Sequence, residues 1–90
     1  MTAEKIVVDW ILRQYKTNEP WFFSFDLEEK VPIYGRIAHQ KVHTASTYSR
    51  AFRKLRNSNK LFMRGYELIE IEHNKMKVKG WKIQKTETNT

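Results

Sequence analysis

An α+β fold, three helices followed by a C-terminal β-hairpin, is what this 90-residue sequence predicts. Three observations carry the prediction. Apolar residues recur at helical spacing in residues 2–17 and again, more cleanly, in 44–57. The period then switches to alternation in 67–72 and in 76–79. His73-Asn74-Lys75 supplies turn material between the two alternating runs.

The first helix is expected over residues 2–17. Thr2 is a good N-cap, and Glu4 lies in the first turn, where the helix dipole favours an acid. Val7, Trp10, Ile11 and Tyr15 form one apolar stripe, with Asp9, Arg13 and Lys16 off it. Asn18-Glu19-Pro20 stops the helix, because the residue before proline avoids the helical region. Trp21-Phe22-Phe23 is expected to be extended. Ser24 then resembles the N-cap of a short second helix, with Asp26 and Glu28 in its first turn, Leu27 facing inward and Pro32 as its end. Residues 33–43 admit three readings: a loop around Gly35, a short strand, or a helix from Arg36 to Lys41.

Residues 44–57 are the best-specified segment. Thr44 caps, and Tyr48, Ala51, Phe52 and Leu55 make one apolar face. Polar and basic side chains fill the remainder, and Asn57-Ser58-Asn59 ends the helix. In the hairpin a simple register sets Glu70 and Glu72 opposite Lys79 and Lys77. Gly80 marks a bulge or a change of face before Trp81 and Ile83. The domain is therefore expected to span residues 1–83, with 84–90 as a flexible polar tail.

Composition narrows the function classes. The chain is 40% hydrophobic and 13% aromatic, which suits one small packed core and excludes a disordered basic tail. It has no cysteine, so disulfide staples, thiolate catalysis and cysteine-ligated zinc are out. No apolar run approaches the roughly 20 residues of a membrane span, and no signal-peptide pattern opens the chain. A soluble intracellular protein of the cytoplasm, nucleoid or host-cell interior is expected. Ninety residues leave no separate effector domain, so neither a small-molecule ligand nor a cofactor is expected.

Charge is the most informative feature. Residues 1–40 carry five bases and six acids, and residues 67–90 carry five and four. Residues 41–66 carry Lys41, Arg50, Arg53, Lys54, Arg56, Lys60 and Arg64 and no acid, which equals the whole net charge of +7. Such concentration is the electrostatic footprint of a nucleic-acid surface.

The order of helix, aromatic segment, short helix, basic helix and hairpin resembles the winged helix-turn-helix family of DNA-binding domains, over about residues 2–83. Its most specific piece is Thr44-Ala45-Ser46-Thr47-Tyr48-Ser49-Arg50-Ala51-Phe52-Arg53-Lys54-Leu55, which is similar to a recognition helix of that family. Tyr48 occupies a core position where family members often have Val or Ile, and its hydroxyl needs a partner or water. Two departures stand out. The stretch before Thr44 is longer than the usual three- or four-residue turn, unless residues 37–41 belong to the second helix. The hairpin also carries as many acids as its own strand bases before Lys82, so the wing is not uniformly positive. The resemblance implies a helix in the major groove of double-stranded DNA and a wing over adjacent backbone or minor groove. Ser46, Thr47, Ser49 and Arg50 would then reach base edges. Thr44, with the first free N–H groups and neighbouring His43, would meet a phosphate. Lys41, Arg53, Lys54, Arg56 and Lys60 would bind phosphates, and Lys75 and Lys77 would act from the wing tip.

Other chemistries have weaker support. His39, His43 and His73 are too scattered in sequence for a metal site, and Glu70-x-Glu72 is explained by strand alternation. No enzymatic activity is expected. Trp21-Phe22-Phe23 would serve as a base-stacking platform in an RNA or single-strand binder, but a domain this small needs it as core. Two alternatives remain open: that single-strand binder, and a protein-interaction adaptor such as a small phage or archaeal-virus accessory protein. A homodimer on a pseudo-palindromic site is compatible with the sequence and not required by it.

Overall fold

The computed structural model describes residues 2–86. Helix α1 spans Ala3–Tyr15 and begins at the expected cap, with the Lys5 N–H donating to Thr2 Oγ1 at 3.3 Å. Its buried face is wider than the expected stripe, because Ile6 and Val8 join Val7, Trp10 and Ile11. Tyr15 lies half-buried, its ring edge-on to Tyr66 at 5.2 Å. The Gln14 side-chain amide then donates to the carbonyls of Glu19 and Trp21, at 2.9 and 3.1 Å, and holds the turn.

Strand β1, Trp21–Phe23, is the aromatic segment. Phe22 is buried, with Trp10, Phe52 and Trp81 around it at ring distances of 5.3 to 5.6 Å. Of the cluster, Phe22 is core, Phe23 is half-buried and Trp21 is exposed.

Helix α2 spans Ser24–His39, corrects the sequence reading twice and decides a segment that it left open. The N-cap is Phe23 rather than Ser24, and the buried Asp26 carboxylate accepts from the Phe23 N–H at 2.9 Å. Lys30, one turn on, pairs with Asp26 at 3.4 Å. Pro32 does not end the helix, which runs on to His39. A proline inside a helix forfeits one hydrogen bond and crowds the preceding turn, at about 3 kcal/mol. Leu27, Val31 and Gly35 are buried at i, i+4 and i+8 on both sides of it, so tertiary packing offsets that cost. The ambiguous residues 33–39 are thus helix, and the link to the next helix is residues 40–44, opened by Gln40 in the left-handed region at φ 52°.

Gly35 allows the close approach on which this packing rests. A Cβ at Gly35 would overlap Tyr48 Oη and stand 3.2 Å from Tyr48 Cζ. The last turn of α2 is also tied to α1: Tyr34 donates its hydroxyl to the Asp9 carboxylate, and His39 Nε2 lies 2.9 Å from Asp9 Oδ2. The Tyr34 bond holds the Asp9 carboxyl below its ordinary value against the opposing effect of burial, with His39 helping. Burial, and then the same bond, push the Tyr34 hydroxyl up.

Helix α3 spans Ala45–Asn57 and buries Tyr48, Ala51, Phe52 and Leu55, the four residues expected. A short helix that the sequence did not announce, α4 (Lys60–Met63), follows a left-handed Asn59 at φ 56° and buries Leu61.

Strands β2 (Tyr66–Glu72) and β3 (Lys79–Lys85) form the hairpin. The register differs from the simple one: Glu72 faces Lys79, and Glu70 faces Trp81. Lys79 reaches diagonally to Glu70 at 3.1 Å. Residues 76–78, expected in a strand, belong instead to a six-residue connection, 73–78. His73 organises it, its Nδ1 accepting from the N–H groups of Lys75 and Met76 at 3.2 and 3.1 Å. Gly80 makes no bulge. It sits in regular pairing opposite Phe23 and Ile71, and a Cβ there would overlap the Phe23 ring and stand 2.7 Å from the Phe22 carbonyl oxygen. Gln84 and Lys85, assigned to the tail by sequence, pair with Glu67 and Tyr66 as the end of β3, while residues 87–90 lie outside the described residues.

β3 is central in a three-stranded antiparallel sheet of order β1-β3-β2. The result is a winged-helix-like α+β topology. None of the described helices is long and apolar enough to cross a membrane.

Candidate nucleic-acid interface

The site is built on α3, whose orientation follows from its burial. Four buried side chains fix one face against the core. At about 100° per residue, Ser46, Arg50, Arg53 and Asn57 fall on the opposite side. Thr47 and Lys54 take one flank, Ser49 and Arg56 the other. The latter flank faces the hairpin, since Ser49, Arg53 and Arg56 line a cleft together with Val78 and Lys79.

The N-terminal turn of α3 is locally satisfied. Thr44 Oγ1 accepts from the Thr47 N–H at 3.2 Å and lies 3.0 and 2.8 Å from the hydroxyls of Ser46 and Thr47. Ser46 remains exposed above this cluster, whereas Thr47 and Ser49 are half-buried. The first N–H groups of any helix lack intrahelical acceptors, and here no acid occupies the first turn.

No acid lies on this helix, whereas α1 and α2 carry charges of both signs. Arg50, Arg53 and Lys54 are exposed and have no acidic partner within 4.0 Å among the described residues. The same is true of Lys75 and Lys77 on the wing connection, where Lys77 holds a left-handed φ of 56°. Lys41 is exposed in the link between α2 and α3.

Three candidates have other surroundings. Lys60 pairs with Glu4 of α1 at 2.7 Å and so ties α4 to the body of the domain. Arg56 stacks its guanidinium 5.1 Å from the Trp81 ring centroid and 5.8 Å from that of Phe52. His43 packs edge-on to Tyr48 at 5.5 Å, with its Nε2 buried and unpartnered among the described residues. The Tyr48 hydroxyl is likewise buried without a partner, and burial pushes its pKa up. Of the partner or water that the sequence reading asked for at that hydroxyl, no protein group among the described residues is the partner.

Two features escaped the sequence reading. Asn57 shares the outward line with Arg50, a position its helical spacing announced but its turn propensity masked. The cleft beside Arg56 draws on α2, α3 and the hairpin, so no local signal marks it. Among the described residues, no group of three His, Cys, Asp or Glu side chains is placed to hold a metal ion.

Together these features define a winged-helix-like domain with a cationic third helix. No protein-family model, curated protein or solved structure gives a significant match to the chain.

Proposed function

We propose that this chain binds double-stranded DNA and regulates transcription by occupying its site, with α3 in the major groove and the β2–β3 hairpin as the wing. One observation carries the reading: Arg50, Arg53 and Lys54 stand exposed on α3 without acidic partners among the described residues, within a sequence window free of acids. Cations left unpaired by their own protein are available to displace counterions from phosphates. Helix α3 has 13 residues, which at 1.5 Å per residue is about 20 Å, a length suited to a major groove. Arg50 and Ser46, furthest from the core, take the base-reading role. Arg53, Lys54, Lys41 and the wing lysines take phosphates, and Arg56 does so from its seat on Trp81. Nothing in this mechanism calls for a catalytic group or a cofactor.

The test is a fluorescence-anisotropy titration against random duplex DNA, single-stranded DNA and RNA over a salt series. The reading expects duplex preference and a log–log salt slope of roughly −0.9 per phosphate neutralised. Stronger binding to single strands transfers the role to an RNA or single-strand binder, for which Trp21, 38% exposed, is the available stacking surface. A second reading, a protein-interaction adaptor, draws on the exposed apolar side chains Ile37 of α2 and Val42 of the α2–α3 link. It predicts negligible nucleic-acid binding at low salt and a partner retained at high salt.

A further inference from the structure

The sheet has two edges, β1 and β2, and the chain treats them differently. At β1 the Ile83 N–H bonds to the Pro20 carbonyl, which turns the backbone groups of Trp21 and Phe23 away from β3. These outward groups are engaged within the chain. The Trp21 N–H donates to the Glu19 carbonyl at 2.7 Å, and the Trp21 carbonyl accepts from the Gln14 amide at 3.1 Å. The Phe23 N–H donates to the Asp26 carboxylate at 2.9 Å, and the Phe23 carbonyl, at the N-cap, opens the hydrogen bonding of α2. At β2 the opposite holds. His73 donates to the Val78 carbonyl and Thr86 to the Gly65 carbonyl, both at 2.9 Å, so the odd-numbered residues of β2 bond to β3. Tyr66, Leu68, Glu70 and Glu72 therefore turn their N–H and C=O groups outward, and none of these is bonded among the described residues. The strand has seven residues, no proline and no bulge, so two common protections of an edge are missing. Charge does not close it either, because Glu67, Glu70 and Glu72 are balanced by Lys79, Lys82 and Lys85 on β3.

The order of side chains on β2 says what fits this edge. Antiparallel pairing of the strand with itself about Ile69 sets Tyr66 opposite Glu72, Leu68 opposite Glu70, Glu67 opposite Ile71 and Ile69 opposite its own copy. No glutamate then faces a glutamate, and like charges directly opposite are what such a pairing must avoid. Ile69, 42% exposed beside Lys82 on the face away from the core, gains an apolar neighbour. A groove of about 280 Å³ runs beside the first half of β2, lined by Leu61, Phe62, Tyr66 and Leu68. The incoming strand brings its Glu70 and Glu72 to this groove, where Arg56 stands without an acidic partner within 4.0 Å among the described residues. Glu67, the acid that also borders it, is engaged by the Gln84 amide. We propose that β2 is a dimerisation strand and that two copies of this chain join along it, antiparallel about Ile69, into one continuous sheet of order β1-β3-β2-β2-β3-β1 closed by twofold symmetry. The surface stands whether or not the chain binds DNA. Its consequence rests on the DNA reading: two α3 helices related by a twofold axis call for an inverted repeat.

The experiment is sedimentation equilibrium of the full chain over a concentration series, without nucleic acid, together with single-cysteine cross-linking. A monomer–dimer equilibrium is expected. Ile69→Lys, which sets two ammonium groups opposite each other at the centre, is expected to weaken it at least about tenfold. Glu70→Pro removes an outward N–H that β3 does not use and is expected to weaken it about tenfold as well. Urea melts of both variants confirm that the fold is retained. The chain has no cysteine, so Ile69→Cys introduces a single thiol. Opposed residues of a non-hydrogen-bonded antiparallel pair have Cα atoms about 4.5 Å apart, within reach of a disulfide. Oxidised Ile69→Cys is therefore expected to become a covalent dimer, and Ile37→Cys, at a residue 75% exposed on α2, is expected to remain uncoupled. A monomer at every concentration up to about 1 mM overturns the proposal. So does a dimer that neither Ile69→Lys nor Glu70→Pro weakens, one that couples through Ile37→Cys and not Ile69→Cys, or open-ended association beyond the dimer. A monomer that instead binds the extended peptide Lys-Val-Lys-Val-Lys along β2 overturns the second copy as occupant. Dimerisation of a chain with no duplex affinity retains the strand interface and removes the DNA reading, and duplex binding by a strict monomer does the reverse.

Discussion

Helices α2 and α3 adjoin in the chain and pack on each other, yet they are specified by different kinds of information. α3 has a threonine cap, one uninterrupted apolar face and a polar remainder, all legible within 14 consecutive residues from Thr44 to Asn57. α2 has a phenylalanine at its N-cap position, a proline in its middle and a glycine in its last turns. What holds α2 is supplied by other elements: the Tyr48 ring over Gly35 and the Asp9 carboxylate on Tyr34 and His39. The helix proposed to face DNA is thus self-specified, and the helix that positions it depends on long-range contacts. Such a division leaves the outer face of α3 free to vary with its target, while the α2–α3 contact tolerates little change.

The sharpest way to break this contrast is at Gly35. Gly35→Ala puts a methyl group into the space of the Tyr48 hydroxyl. In a helix interior the exchange would ordinarily stabilise by up to about 1 kcal/mol. Here overpacking is expected to reverse the sign and cost about 3 kcal/mol, read as a lower urea midpoint with unchanged slope. Tyr48→Phe removes a buried, unpartnered hydroxyl and is expected to be neutral or slightly stabilising. Combined with Gly35→Ala it should recover about 1–2 kcal/mol, because the overlap is mainly with the hydroxyl. Strictly additive effects would show that α2 does not depend on this contact.

The outer face of α3 should behave oppositely, changing function without stability. Arg50→Ala is expected to leave the urea midpoint within about 0.5 kcal/mol of the parent, since the side chain is exposed and unpaired. In anisotropy titrations it should cost about 1–3 kcal/mol at a selected duplex site and narrow the gap between that site and random DNA. Lys54→Ala should weaken all duplexes alike and reduce the salt slope by about 1. An Arg50→Ala protein that still discriminates as before would remove Arg50 from base reading.

The same division explains how much was legible in advance. α1, α3 and the hairpin announce themselves because caps and apolar periods are local, and the α+β class followed from them. At Ser24 a hydroxyl looked like a cap, but the capping acceptor is the Asp26 carboxylate reaching back to Phe23. Pro32 looked like a stop because its cost is local and the compensating burial of Val31 and Gly35 is not. In the wing, alternation through 76–78 suggested strand, yet His73 gathers the connection into a turn: its ring nitrogen accepts from the N–H groups of Lys75 and Met76, its carbonyl from Lys77, and its own N–H donates to the Val78 carbonyl. The candidate site divides likewise. Ser46, Arg50, Arg53 and Lys54 were readable from helical phase alone, while the seats of Lys60 on Glu4 and of Arg56 on Trp81 required the tertiary fold.

Caps sharpen the comparison on a smaller scale. Thr44→Ala removes the acceptor for the Thr47 N–H and is expected to cost about 1 kcal/mol. Ser24→Ala, at a hydroxyl with no capping role, should cost only a few tenths. Urea denaturation of the two variants side by side measures the difference, and equal losses would return Ser24 to the cap.

The smallest expected effect is a pH dependence in the tie between α1 and α2. Asp9 has a folded pKa below its ordinary 3.8, with the Tyr34 hydrogen bond as the leading cause. A depressed carboxyl contributes stability above its unfolded pKa and loses it as pH falls through the folded one. Tyr34 has the opposite sign, since burial and the same bond raise it above 10.0, so its contribution persists below that value and fades as pH rises past the folded one. The tie is therefore strongest between about pH 5 and 9 and weakens at both ends. With 42% of the Asp9 side chain exposed, solvent screening keeps its share below about 1 kcal/mol. Asp9→Asn should cost that amount at pH 7 and converge on the parent as pH falls through the folded Asp9 pKa, in urea melts repeated across pH. A gap that persists undiminished in acid would mean that the carboxylate charge is irrelevant and that α2 is anchored there by shape alone.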